Sequence, residues 1–137
     1  MGKKFWISGI VAVVVMMALG FFVHGFILHN DYMDPAMKPH MRAEADGVAF
    51  LPYMILAHVS MGFAAAWIYR KGMTAGASWL GQGVRFGIAM AAVMTVPMFL
   101  IHYAVYPFPG MLIVKQIVGD SICWIVAGIV IAFINKE

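Results

Sequence analysis

Apolar positions gather in four long runs, 5–28, 50–69, 86–106 and 111–134, separated by polar breaks. Each run has about 20 residues or more, the number a helix needs to cross a hydrocarbon core of about 30 Å. Polar positions inside the runs are few. They are Ser8 and His24 in the first, His58 and Ser60 in the second, Thr95 and His102 in the third, and Lys115, Gln116, Asp120 and Ser121 in the fourth. Backbone groups in lipid must bond within their own segment, so these runs predict helices. None alternates as the strands of a membrane barrel do. The pattern predicts an all-α polytopic membrane protein. It is one domain over 1–137, four transmembrane helices in an antiparallel bundle, with an outer loop at 29–49. The first run follows Lys3 and Lys4 and carries Ala18-Leu19-Gly20, a faint cleavage-like triplet. It continues through Leu28, longer than a signal core, and so predicts a retained span.

Composition removes the main rival class. The chain is 64% apolar and 11% charged, against about 45–50% and about 25% in soluble domains. A soluble chain of 137 residues has too little interior to hide that much apolar surface. The net charge of +3 forms no basic stripe, so the lipid bilayer, and not nucleic acid, is the expected partner. The single cysteine, Cys123, cannot form an internal disulfide and reads as a buried, inert thiol.

Charge does set orientation. Lys3, Lys4, Arg70, Lys71, Arg85 and Lys136 fall on one side of the runs, and Lys38, Arg42 and Lys115 on the other. Lysine and arginine concentrate on the cytoplasmic side, so both termini are predicted cytoplasmic. In a bacterium that places the chain in the cytoplasmic (inner) membrane as a multi-pass protein.

Packing signals sit inside the runs. Gly83, Gly87 and Ala91 recur every four residues, as do Gly62 and Ala66, a spacing that lets helices approach closely. Pro97 lies mid-run and removes a donor to the carbonyl of Val93, which predicts a kink. Pro52 falls in the expected first turn of the second run, where proline is harmless. In the outer loop, residues 39–46 predict a short interfacial helix stopped by Gly47. Met33, Met37, His40 and Met41 have the soft-ligand character that suits Cu(I).

Intramembrane polar groups are costly and usually face a bundle interior. At about 1.5 Å per residue, His24 and His102 lie about 6 Å below the outer edge, His58 about 12 Å and Asp120 about 13–14 Å. All four belong to the outer half. Gln116 and Asp120, four apart, share a face continued by Cys123 and Ala127. Lys115 and Asp120, five apart, diverge by about 140°, so Lys115 is expected to snorkel outward. His24, His58, His102, Gln116 and Asp120 are the candidate ligand-binding residues of one outward-opening polar pocket, and an Asp120–His58 pair fits both depths. Aligning His24 with His102 also aligns Val15 with Val93, Met16 with Met94 and Phe21 with Phe99. This weak repeat predicts two parallel hairpins and puts the two histidines opposite each other, as axial haem ligands would be.

The stretches FVHGFILHNDY at 22–32, GVRFGIAM at 83–90 and VPMFLIHYAVYP at 96–107 resemble small bacterial four-helix membrane proteins of unknown function. The shared elements are His24-Gly25 and Asp31-Tyr32. The resemblance implies the fold, supplies no activity, and favours a role for His24, Asp31 and Tyr32 at the outer surface.

Three functions remain open. The pocket binds or translocates a small ligand, ion or lipid headgroup, with Asp120 and His58 holding a proton or cation. Alternatively the chain is an accessory subunit of a larger, respiratory-type membrane complex, or a haem- or copper-binding membrane protein. Four helices alone are few for a permeation path, so a homo-oligomer or partner membrane subunits are expected. No HExxH, CxxC, nucleophile–base pair or phosphate loop is present, so no enzyme is predicted.

Overall fold

The computed structural model describes residues 2–136, leaving aside the side chain of Glu44. Helix accounts for 84% of it, with no strand among the described residues. Four helices, Lys3–Ile27, Gly47–Gly72, Trp79–Val105 and Gly110–Asn135, are long and apolar enough to cross a membrane. The chain is thus a multi-pass membrane protein in which each predicted run lies within or close to one helix. The fourth helix is central. It packs against the first and the third, and the first packs in turn against the second. Contacts run antiparallel: Val23 meets Gly119, while Lys4 near the start of the first helix donates to the carbonyl of Lys136 at 2.8 Å.

In lipid the hydrophobic effect does not drive helices together, so close backbone packing must. The predicted small-residue rows supply it. A Cβ at Gly83 would stand 2.8 Å from Ile129 Cα and 2.9 Å from the carbonyl of Gly128. At Gly87 a Cβ would collide with Ile125 Cα and the Trp124 carbonyl. The third and fourth helices therefore touch backbone to backbone. Gly62 does the same between the first two helices, where a Cβ would come within 2.8 Å of Val13 N. Large apolar side chains such as Phe21, Phe26, Leu56, Val93 and Ile101 point away from the bundle, toward lipid.

Several expectations are corrected. The third helix runs as a π-helix over Ala91–Thr95 just before Pro97, with Val96 N–H donating to the Ala91 carbonyl. The second helix starts at Gly47, so Pro52 lies inside it and Gly47 opens a helix instead of stopping one. Residues 39–46 form no single helix. Two 3-10 turns, Lys38–His40 and Glu44–Asp46, flank Met41, which is extended. Pro39 starts the first of these well but cannot continue a ladder. The third helix begins at Trp79, before the apolar run. Ser78 Oγ accepts from Gly81 N at 3.4 Å there, and Gln82 ties the preceding turn to it through Thr74 N at 2.6 Å. Nor does the hairpin repeat hold in the packing. The contact between the first and fourth helices has no counterpart of similar extent between the third and second.

Candidate functional site

The last turns of the first helix, Phe21–Ile27, are π-helical, closed by Leu28 N–H donating to the Val23 carbonyl at 2.8 Å. An extra residue per turn changes which side chains face the neighbouring helix. Val23 is buried against Gly119, whose missing side chain makes the room: a Cβ there would lie 2.7 Å from Val23 Cγ1. That close approach sets the next residues of both helices, His24 and Asp120, side by side. The chain then turns through the short helix His29–Tyr32, which brings Asp31 and Tyr32 back over the end of the fourth helix.

Four side chains form a continuous chain of hydrogen bonds. His24 Nε2 lies 2.8 Å from Asp120 Oδ1, His24 Nδ1 lies 2.6 Å from Tyr32 Oη, and Gln116 Nε2 lies 2.9 Å from Tyr32 Oη. The donors follow from the carboxylate. An ionised Asp120 only accepts, so His24 Nε2 carries a proton toward it. In neutral His24, Nδ1 then accepts from the Tyr32 hydroxyl, and Tyr32 Oη accepts from the Gln116 amide. The remaining amide atom, Gln116 Oε1, is buried and has no partner. Beside this chain, Lys115 Nζ donates to Asp31 Oδ1 and Oδ2 at 2.7 and 3.0 Å. Residues 31–32 are thus tied to 115–116 by two adjacent rungs.

Lys115 pairs with Asp31, and His24 with Asp120. Burial pushes the Tyr32 phenol above its ordinary value of 10.0, helped by the charges of Asp120 and Asp31, while the bond from Gln116 opposes the shift. Tyr32 therefore stays protonated and able to donate to His24.

Of the candidate residues, His24, Gln116 and Asp120 come together through Tyr32, and Lys115 pairs with Asp31. The expected Asp120–His58 pair does not form, because Asp120 takes His24. His58 instead donates through Nδ1 to the Met54 carbonyl at 2.7 Å, one turn earlier in its own helix. Its other nitrogen lies 3.7 Å from where a Cβ would stand on Gly20. His102 makes edge contacts with Phe99, Tyr106 and Phe108. The four soft-ligand candidates lie in different environments: Met37 is buried in the core, His40 packs edge-on against Phe108, and Met33 and Met41 are about half exposed. A metal or haem iron at His24 would have to displace Tyr32 or Asp120, since both ring nitrogens are engaged.

Tyr32 is the residue that residue-by-residue reading undervalued. It lies outside the apolar runs, and only the Asp31-Tyr32 pair of the resemblance pointed to it. Asn135 and Gln82 were also missed. Both are buried at the opposite end, where Asn135 Oδ1 accepts from Arg70 Nη1 at 2.7 Å. No protein-family profile, curated protein or solved structure matches this chain.

Proposed function

We propose that this multi-pass membrane protein binds a small cation or hydrogen-bond donor at its outer end, through the cluster of Asp120, His24, Tyr32 and Gln116. The observation that carries the reading is the unpartnered Gln116 Oε1 at the end of a hydrogen-bonded chain that begins on a carboxylate. A buried acceptor without a partner costs about 1–3 kcal/mol, a deficit that an incoming N–H or O–H removes. Asp120 supplies the charge that favours a cation, and His24 can take up a proton in exchange for it. Asp31 and Asp120 both disfavour an anion. The excess of lysine and arginine at the end that bears the termini supports a cytoplasmic location for them, with the cluster facing outward across a bacterial inner membrane.

The test uses the detergent-solubilised protein, with ammonium and ethanolamine as probes and acetate as the anionic control. Calorimetric titration is expected to give saturable binding of the amines alone. Gln116→Leu and Asp120→Asn, checked for helical content, each weaken it at least about tenfold, the effect of losing one charge-assisted bond. Binding that persists unchanged in both variants refutes the assignment.

A second reading, as a subunit of a larger membrane assembly, is supported by the outer half of the second helix. Val48, Leu51, Tyr53, Met54, Ile55 and Leu56 are all exposed there, leaving a face open to another membrane helix. Purification in mild detergent distinguishes the readings: a companion protein in fixed ratio supports the subunit, and an unaccompanied chain opposes it.

A further inference from the structure

Among the described residues, the end of the bundle that carries the termini is basic and lacks acidic partners. Lys3, Lys4, Arg70, Lys71, Arg85 and Lys136 lie there, whereas the described acidic residues, at 31, 34, 44, 46 and 120, belong to the other end. Both ion pairs among the described residues are also at that other end. Three of the six cations have local engagements: Lys4 donates to the Lys136 carbonyl at 2.8 Å, Lys136 Nζ stands 3.9 Å over the Phe133 ring, and Arg70 donates to Asn135.

A cleft of about 270 Å³ opens at this end, lined by Phe5, Trp67, Arg70 and Lys71. Its guanidinium is held in place. Arg70 Nη1 donates to Asn135 Oδ1 at 2.7 Å, and Asn135, 2% exposed, donates in turn to the Ile131 carbonyl at 2.9 Å. One nitrogen of a rigid planar fork is thereby fixed, and the other donors remain to grip phosphate oxygens. Lys71 is exposed beside it. On the cleft wall Trp67 is 52% exposed, and the neighbouring Ile68 is exposed too, in line with the lipid-facing surface of the second helix. Tryptophan with lysine or arginine at a helix end marks the headgroup level of a bilayer.

We infer that this cleft binds the phosphate of an anionic phospholipid, with Arg70 and Lys71 on the headgroup and Trp67 against its apolar stem. The choice of a lipid over a free anion rests on Trp67, which is 52% exposed, while Phe5 is buried behind it. Free phosphate gains nothing from Trp67, while a lipid covers it. Basic pockets beside transmembrane helices on the cytoplasmic side are known places for such headgroups. The inference is independent of the amine site, which lies at the opposite end of the bundle.

Native mass spectrometry of the full chain, released from mild detergent, counts bound lipids. With phosphatidylglycerol and phosphatidylcholine as probes, one phosphatidylglycerol per chain is expected. Two basic side chains give it a preference on the order of thirtyfold. Arg70→Gln/Lys71→Gln loses this preference, while Lys3→Gln/Arg85→Gln, with the same charge change outside the cleft, keeps it. Lys71→Glu leaves the Arg70–Asn135 bond in place and is the variant to use if the double change unfolds the protein; it is expected to weaken binding in the same direction. Equal binding of both lipids, equal loss in the control pair, retention of the preference in Lys71→Glu, or full competition by inorganic phosphate at concentrations comparable to the lipid would each overturn the inference.

Discussion

Replacing Tyr32 by phenylalanine removes one oxygen and tests the whole outer cluster. That oxygen joins His24 Nδ1 at 2.6 Å and Gln116 Nε2 at 2.9 Å. The two losses are unequal. His24 is about one-third exposed, so water can take the place of the hydroxyl at Nδ1. Gln116 is 5% exposed, so its amide would be left buried with no partner on either atom. A typical hydrogen bond contributes about 1 kcal/mol net, and stranding a buried polar group costs about 1–3 kcal/mol. Tyr32→Phe is therefore expected to destabilise the protein by about 2–3 kcal/mol, most of it arising at Gln116. The double variant Tyr32→Phe/Gln116→Leu removes the stranded amide as well. Replacing both partners by apolar groups can be nearly neutral, so the pair is expected to recover more than half of the single variant's loss. Thermal or denaturant unfolding in mild detergent, followed by circular dichroism, reads both. A loss below about 0.5 kcal/mol for Tyr32→Phe, or a double variant less stable than the single one, would refute the reasoning.

Other expectations follow from the same geometry. Gly87→Ala places a methyl against the Ile125 and Trp124 backbone, so overpacking should cost about 1–3 kcal/mol. Gly119→Ala meets only the side chain of Val23 and should cost clearly less in the same melt. The Lys115–Asp31 pair is 45% and 26% exposed, so Lys115→Ala should cost under about 1 kcal/mol and the difference should shrink in high salt. The raised Tyr32 value implies that the folded protein holds this proton more tightly than the unfolded chain. The stabilisation is then fully present below the ordinary tyrosine range and is lost as pH climbs through the raised value. An ultraviolet phenolate titration should lose one late-ionising tyrosine in Tyr32→Phe.

How much of this could be read from the sequence depends on what kind of rule each feature obeys. Helices that must satisfy their own backbone in lipid are written in runs of apolar residues, so four spans were legible. Their ends were less so. Gly47 and Trp79 start helices beyond the apolar runs, because capping and local turns, not hydropathy, decide where a ladder begins. The rows Gly83–Gly87–Ala91 and Gly62–Ala66 were legible because close approach demands small residues at a fixed spacing. Depth arithmetic placed His24 and Asp120 in one half of the membrane but could not choose between His24 and His58 as the partner. The choice depends on which helices touch and on the π-helical turn at Phe21–Ile27, a rotation of side chains that no periodicity announces. The resemblance pointed to Tyr32, but its partner was not legible for a related reason: the contact spans 84 positions to Gln116 and exists only because the chain folds back after the first helix.

The central claim is a hydrogen-bonded chain whose proton order is dictated by Asp120, and the protonation of His24 reports it most directly. Nitrogen-15 spectra of histidine-labelled protein in lipid bilayers at neutral pH, assigned with His24→Ala, distinguish the two ring nitrogens. The account predicts a His24 proton on Nε2, facing Asp120, and an Nδ1 hydrogen-bonded to Tyr32, and a change in this pattern in Asp120→Asn. A proton found on Nδ1 with Nε2 bare, or a His24 signal indifferent to Asp120→Asn, would contradict it.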